Sequence, residues 1–156
     1  MASADSESAD DLARRCADEM WSSDQASRNL GMALVEVSAG YAVLSMPIAA
    51  TMVNGHDICH GGFIATLADS AFAFACNSYD DATVAAGFDI AFLTPGRLGD
   101  VLHAVASERT RAGRSGIYDV TVWRGYAREA DGSERGERIA EMRGRSRSLG
   151  RPLLPH

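Results

Sequence analysis

The chain has 156 residues, a formal net charge of −6 and 46% apolar residues. That is the length of one ordinary domain with a real core, and the negative balance argues against a general nucleic-acid face, which needs basic charge. All fifteen basic residues are arginine, a sign of compositional bias that also excludes Schiff-base chemistry on a lysine.

Residues 1–7 are small and acidic and are expected to be disordered. They have no basic n-region and no apolar h-region, so no signal peptide is expected. Asp10 or Asp11 is expected to cap a short helix reaching residue 22, with Leu12, Cys16 and Met20 on one face. Two strands, 32–37 and 41–46, flank a turn over Ser38 to Gly40. Residues 51–60, "TMVNGHDICH", form a loop into "GGFIATLADSAFAFACNS", a helix over 61–78 that is apolar on nearly every side and therefore expected to be buried.

Four strands follow, over 83–93, 101–111, 117–126 and 138–148. In the first, Val84, Ala86, Phe88, Ile90 and Phe92 alternate onto one face. In the third, Tyr118, Val120 and Val122 do the same. The tail, 149–156, carries two prolines and is expected to fray. The order predicts an α+β domain, an antiparallel sheet curled around one buried helix. A flexible start and short helix (1–29) and the tail flank this domain (30–148). No apolar run approaches the roughly 20 residues that cross a bilayer, so no membrane partner is expected.

Chemistry concentrates around the long helix. Gly62, Thr66, Asp69, Ala73 and Cys76 recur at three- and four-residue spacing, a stripe of small residues holding one carboxylate. An unpaired buried charge costs several kcal/mol. Asp69 therefore either has a buried partner or faces a cavity that serves a reaction. At the helix entrance, "HGGF" puts Gly61 and Gly62 where a ligand can approach the backbone. Free N–H groups and the helix dipole there suit an oxyanion; a tight turn needing glycine is the other reading.

His56 and His60 have HxxxH spacing but lack a third ligand, so no metal is expected. Neither a nucleophile elbow nor a phosphate loop occurs, and no cofactor is implied. Cys16, Cys59 and Cys76 are odd in number and form no CxxC pair, which points to a reducing, cytoplasmic setting. Cys59 and Cys76 read as packing residues. Arg109, Arg111 and Arg114 surround a turn; they are either a phosphate grip, with Arg111 and Arg114 on a nucleotide, or a solvated hairpin tip.

"NGHDICHGGFIATLADSAFAFACNS" resembles the phenylacetic acid degradation thioesterases, acyl-CoA hydrolases of the hotdog fold. "FDIAFLTPGRLGDVLHAVASERTRAGRSGIYDVTVW" and "IAEMRGRSRS" extend the resemblance over about residues 30–148. It implies a curved antiparallel sheet around the long helix, dimers paired into tetramers, and a ring-hydroxylated phenylacetyl-CoA as substrate. It implies Asp69 as nucleophile or general base and Gly61 as backbone donor to the carbonyl. Asn54 would position the carbonyl or water, with His60 beside it. Phe63, Phe72 and Phe74 are the phenylalanines from which an aryl pocket would be built. One departure stands out: the strand hydroxyl that related enzymes place near the water is replaced by Ala85 and Ala86, with Thr83 out of phase.

Helix geometry adds a constraint. Gly61 and Asp69 are eight residues apart, about 12 Å along the axis at ~1.5 Å per residue. A carbonyl within about 3 Å of both groups requires Asp69 to come from a second chain, so a homo-oligomer with shared sites is expected. Two other functions fit the fold. One is a non-catalytic acyl-CoA-binding protein, which would lack the helix carboxylate. The other is a hydratase or dehydratase, with His60 as its base.

Overall fold

The computed structural model describes residues 7–156, so the expected disorder of 1–6 lies outside the described residues. Helix α1 (Ala9–Ser23) starts at Ser8, whose hydroxyl accepts from the Asp11 N–H at 3.1 Å. The cap is thus two residues earlier than Asp10. Asp11 instead closes the first turn, accepting from Ser8 Oγ at 2.7 Å, a reciprocal cap. Ala13, Cys16 and Ala17 are its buried face. A short α2 (Gln25–Asn29) leads to the hairpin β1 (Ala33–Ser38) and β2 (Tyr41–Pro47). After the loop come α3 (Gly61–Cys76), β3 (Thr83–Phe92), β4 (Val101–Ala112), β5 (Ser115–Arg128) and β6 (Glu134–Ser148).

The strands form one antiparallel sheet in the order β1-β2-β4-β5-β6-β3. Helix α3 therefore carries the chain from β2 across the sheet to its far edge, and the sheet curls around it, as expected. Leu44 and Met46 of β2, Leu102 and Ala104 of β4, Tyr118, Val120 and Val122 of β5, and Ala140 of β6 meet Ile64, Leu67, Ala71, Phe72 and Phe74 of α3 in one core. At Gly144 of β6 an added Cβ would lie 2.9 Å from the Phe72 ring; glycine lets the helix lie that close. A smaller cluster of Val43, Val105 and Trp123 also forms. Among the described residues no helix is long and apolar enough to cross a membrane.

Three expectations are corrected. The helix is not covered all round: Gly62 is exposed, and Thr66, Asp69 and Ala73 are only half-buried. The curled sheet, with Trp21 of α1 on Phe74 and Ser27 of α2 on Ser70, covers the rest of the helix and leaves this stripe open. Secondly, β3 does not keep one phase. Its pairing with β6 shifts between Ala85 and Gly87, a bulge that inserts one residue and switches faces. Phe88, Ile90 and Phe92 share the helix side, opposite Gly144, Met142 and Ala140, whereas Val84 sits opposite outward Arg147. Val84, Phe88 and Phe92 are 46%, 36% and 52% exposed.

Thirdly, the tail is held rather than frayed. Asp80 Oδ1 accepts from the N–H groups of Leu153 (3.0 Å) and Leu154 (2.7 Å), and Leu154 is buried.

Asn77 joins α3 to β3. Its Oδ1 accepts from Thr83 N–H at 2.8 Å, and its Nδ2 donates to Thr83 C=O at 2.9 Å and Ala73 C=O at 3.0 Å. Asn77→Ala strands both backbone groups of Thr83 in a half-buried position. A loss of about 2–4 kcal/mol is expected, read as a lower urea midpoint with unchanged slope. An unchanged midpoint would show that this link holds nothing.

Candidate active site

The loop before α3 is closed on itself by Asn54. Its backbone N–H donates to Ile58 C=O at 3.0 Å, and its side-chain Oδ1 accepts from His56 N–H (2.9 Å) and Ile58 N–H (3.3 Å). Asp57 takes the left-handed conformation that this tight path needs, with φ +57°. With Oδ1 committed, the amide of Asn54 presents its NH2 donors outward; among the described residues they meet no acceptor. The loop is also tied sideways: Cys59 N–H donates to Gly96 C=O at 2.7 Å and Ile58 bridges Arg97.

His60 is the N-cap of α3. Its Nδ1 accepts from Gly62 N–H at 3.0 Å, which assigns the proton to Nε2. That bond uses the Gly62 donor, so the Gly62 N–H is not available to a ligand. The Gly61 N–H, in the first turn of the helix, has no acceptor among the described residues. A side chain at Gly61 would press on Phe92, its Cβ lying 2.9 Å from Phe92 Cζ, so the ring would have to move.

These groups surround a cleft of about 460 Å³, whose walls include Asn54, Ile58, Cys59, His60, Gly61, Ile64, Phe92, Leu93, Thr94 and Pro95. It brings together two uncommitted N–H donors, on Asn54 and Gly61, within an apolar wall. Sequence patterns point to Asn54, His60 and Gly61 but not to Phe92 as a wall. Phe72 and Phe74 are core residues, buried away from it, and Phe63 packs partly against the same core. Pro95, in the turn cluster after β3, was the only local signal for the opposite wall.

Asp69 is not part of this cleft. It lies two turns further along α3, on the open stripe. Burial pushes its carboxyl above the usual carboxylate range, and no neighbouring charge or hydrogen bond counters this. Thr66, one turn earlier on the stripe, donates its hydroxyl to Gly62 C=O at 2.8 Å. Thr83 Oγ1 is turned to Asp81 C=O at 2.8 Å, and the strand hydroxyl nearest Ala85 in register is that of buried Ser146 on β6.

Arg111 and Arg114 stand near the other end of α3, with Cys76 and Thr83. Arg111 lies 3.6 Å over the Tyr79 ring, with its Nε 3.3 Å from Glu108. Arg114 donates to Ser148 C=O at 3.2 and 2.9 Å. Arg109 pairs with Asp119 at 3.4 Å. Among the described residues no three His, Cys, Asp or Glu side chains converge as a metal set.

The two roles of Asn54 can be separated. Asn54→Asp keeps an acceptor for His56 and Ile58, so melting temperature is expected to stay near wild type. Asn54→Ala leaves both N–H groups without that acceptor and should lose about 1 kcal/mol. Equal melting temperatures for the two variants would show that the Oδ1 bonds do not hold the loop.

The thioesterase superfamily profile matches residues 56–130, from the Asn54 loop through α3 to just beyond β5. The chain is 37% identical to the acyl-coenzyme A thioesterase PaaI of Escherichia coli K12 over 131 residues, 84% of this chain and 87% of that protein. The solved E. coli PaaI structure, from the phenylacetic acid degradation operon, superposes with a TM-score of 0.84 at 36% identity, covering 93% of this chain and 99% of that one. A variant of the phenylacetic acid degradation protein PaaI from Thermus thermophilus gives a TM-score of 0.70 at 28% identity, covering 81% and 100%. With this likeness over nearly its whole length, the chain belongs to the thioesterase superfamily and is a thioester hydrolase of the hotdog fold.

Proposed function

We propose that this enzyme hydrolyses acyl-CoA thioesters, with a phenylacetyl or hydroxyphenylacetyl group as the acyl part, in cytoplasmic phenylacetate degradation. The observation that carries this reading is the pair of uncommitted donors in the cleft, Asn54 Nδ2 and Gly61 N–H. Two such donors on one carbonyl oxygen stabilise the negative charge that develops as a thioester is attacked. The name and operon of the E. coli relative support the substrate.

Asp69 supplies the basic oxygen, as nucleophile or as the base that activates water. As base, Asp69 takes a proton from water, the oxygen adds to the carbonyl carbon, the C–S bond breaks, and the thiolate takes that proton to leave as free CoA. As nucleophile, Asp69 displaces the thiolate to form a mixed anhydride, which water then hydrolyses. A single turnover in ¹⁸O-water separates the two routes. Water activation puts ¹⁸O into the first product and none into Asp69. Direct attack followed by hydrolysis at the Asp69 carbonyl puts ¹⁸O into the Asp69 carboxylate and an Asp69 oxygen into the product.

Asp69 reaches the cleft from a second chain. Strand β3 is an unpaired edge exposing Phe88 and Phe92, and such an edge pairs readily with another copy. A two-fold β3–β3 pairing sets the α3 helices antiparallel, with Gly61 of one chain beside Asp69 of the other. The same pairing carries Arg111 and Arg114 of the second chain past the Asn54 loop, where they turn from Glu108 and Ser148 to the nucleotide. Pairs of dimers then complete a homotetramer.

Catalysis requires ionised Asp69, so kcat/KM is expected to rise with pH through a midpoint above the ordinary Asp value of about 4. Asp69→Asn should lower turnover by about 10²–10⁴-fold. The raised carboxyl also gives a stability sign. Its ionised form is disfavoured in the fold, so the burden is present above the folded pKa and absent below the unfolded one. At pH 7 Asp69→Asn should therefore melt no lower than wild type. Near wild-type turnover in Asp69→Asn would sink the assignment.

Refolding Asn54→Asp chains together with Asp69→Asn chains tests the shared site. A mixed dimer has one intact site, so activity should exceed both parents. Activity at the parental average despite subunit exchange would place the site in one chain. Thiol release from a panel of aryl- and alkyl-CoA substrates should favour hydroxyphenylacetyl-CoA; a preference for palmitoyl-CoA would reject the phenylacetate assignment.

A further inference from the structure

Most arginines of this chain are already answered by an acid or a carbonyl. The majority pair with carboxylates, Arg109, Arg111 and Arg124 among them. Arg28 and Arg114 donate to backbone carbonyls. Among the described residues Arg97, Arg147 and Arg151 have neither kind of partner. Arg147 faces outward on β6 opposite Val84, and Arg151 lies in the tail, bound to Ala82 through its carbonyl. Of these three, Arg97 alone adjoins the cleft.

Its position is fixed by backbone. Arg97 bridges Ile58, a wall residue, and the turn on either side of it is held by Cys59 N–H to Gly96 C=O (2.7 Å) and Leu98 N–H to Asp57 C=O (3.3 Å). The acid of the same turn is already engaged. Asp100 Oδ2 accepts from the Arg97 backbone N–H at 2.9 Å and from Arg124 Nη1 at 2.7 Å, while Arg124 also holds Glu137. The exposed Arg97 guanidinium thus has no ion pair or side-chain hydrogen bond among the described residues, with Asp100 the acid that feels its charge, and it stands in the turn next to a wall that includes exposed Phe92 and Leu93.

We propose that Arg97 receives a phosphate of the substrate's nucleotide, a binding role additional to that of the arginines near the far end of α3. This rests on the acyl-CoA reading. Backbone geometry sets an upper bound on the separation. Gly61 lies two residues beyond Cys59, at most about 7 Å of chain, and the Cys59–Gly96 pairing adds one strand spacing of roughly 5 Å. A pantetheine arm leaving a carbonyl at Gly61 crosses the wall formed by Leu93, Thr94 and Pro95 and delivers its phosphates to the guanidinium. The planar fork of arginine holds a phosphate through two parallel N–H donors.

The test compares wild type, Arg97→Ala and, as a control of equal net charge, Arg147→Ala. One acyl group is presented on CoA, on dephospho-CoA and on pantetheine alone. At low salt, KM of Arg97→Ala for acyl-CoA should rise about five- to tenfold with kcat unchanged. KM for acyl-pantetheine and all constants of Arg147→Ala should stay at wild type. The contrast should shrink as salt is raised. Persistence of the effect on dephospho-CoA assigns the contact to the diphosphate, and its loss there assigns it to the 3′-phosphate. An unchanged KM for acyl-CoA, or an equal change for acyl-pantetheine, overturns the proposal. Calorimetry of free CoA keeps the two readings apart. Weaker CoA binding by Arg97→Ala, in a protein that hydrolyses no thioester, would keep the phosphate contact and remove the hydrolysis.

Discussion

A single sheet curled around a single helix cannot cover that helix completely, and the rest of this structure follows from that shortfall. Helix α3 carries apolar residues on more sides than one concave surface can reach. The sheet takes Ile64, Leu67, Ala71, Phe72 and Phe74 to near-complete burial and leaves the stripe of Gly62, Thr66, Asp69 and Ala73 half-open. The small size of those residues keeps the open stripe low, so another surface can approach closely. The one carboxylate on the stripe is desolvated without being neutralised, a condition that suits a base more than a structural anchor.

The other half of the site is built by the way hydrogen bonds are shared out at the start of α3. A helix N-terminus offers several N–H groups with no internal acceptor. His60 takes that of Gly62, and Asn54 uses its oxygen to hold the loop, so each residue is fixed through one polar atom while another donor is left free. In the reaction proposed above, donors fixed in this way would meet charge developing on a substrate without reorganising. Phe92 arrives from β3 and closes the cleft against Gly61, whose lack of a side chain leaves room for the ring.

At the opposite end of α3, polar groups are taken up by structure. Tyr79 and Tyr118 both donate to Glu108, at 2.8 and 3.0 Å, and Arg111 stacks on Tyr79. Asn77 and Asp80 tie the helix end, β3 and the tail together. The two ends of one helix thus have opposite character, one with satisfied polar groups and one with donors in reserve.

The sequence by itself determined the order of elements, the long helix with its lone acid, the glycines and histidine at its start, and the face formed by Tyr118, Val120 and Val122. These are local properties: periodicity, caps and turn residues depend on neighbours within a few positions along the chain. The helix rise alone was enough to separate Gly61 from Asp69. Only the tertiary structure decided the strand order that puts β3 at an edge, the bulge at Ala86 that turns Val84 outward, and the placement of Phe92 rather than Phe72 or Phe74 in the cleft. It also decided that the Gly62 donor goes to His60, that Arg111 and Arg114 are engaged by Glu108 and Ser148, and that the tail is anchored by Asp80. Each of these depends on which distant surfaces meet. A bulge changes the facing of every residue beyond it, and a donor's availability is known only when all its acceptors are in place.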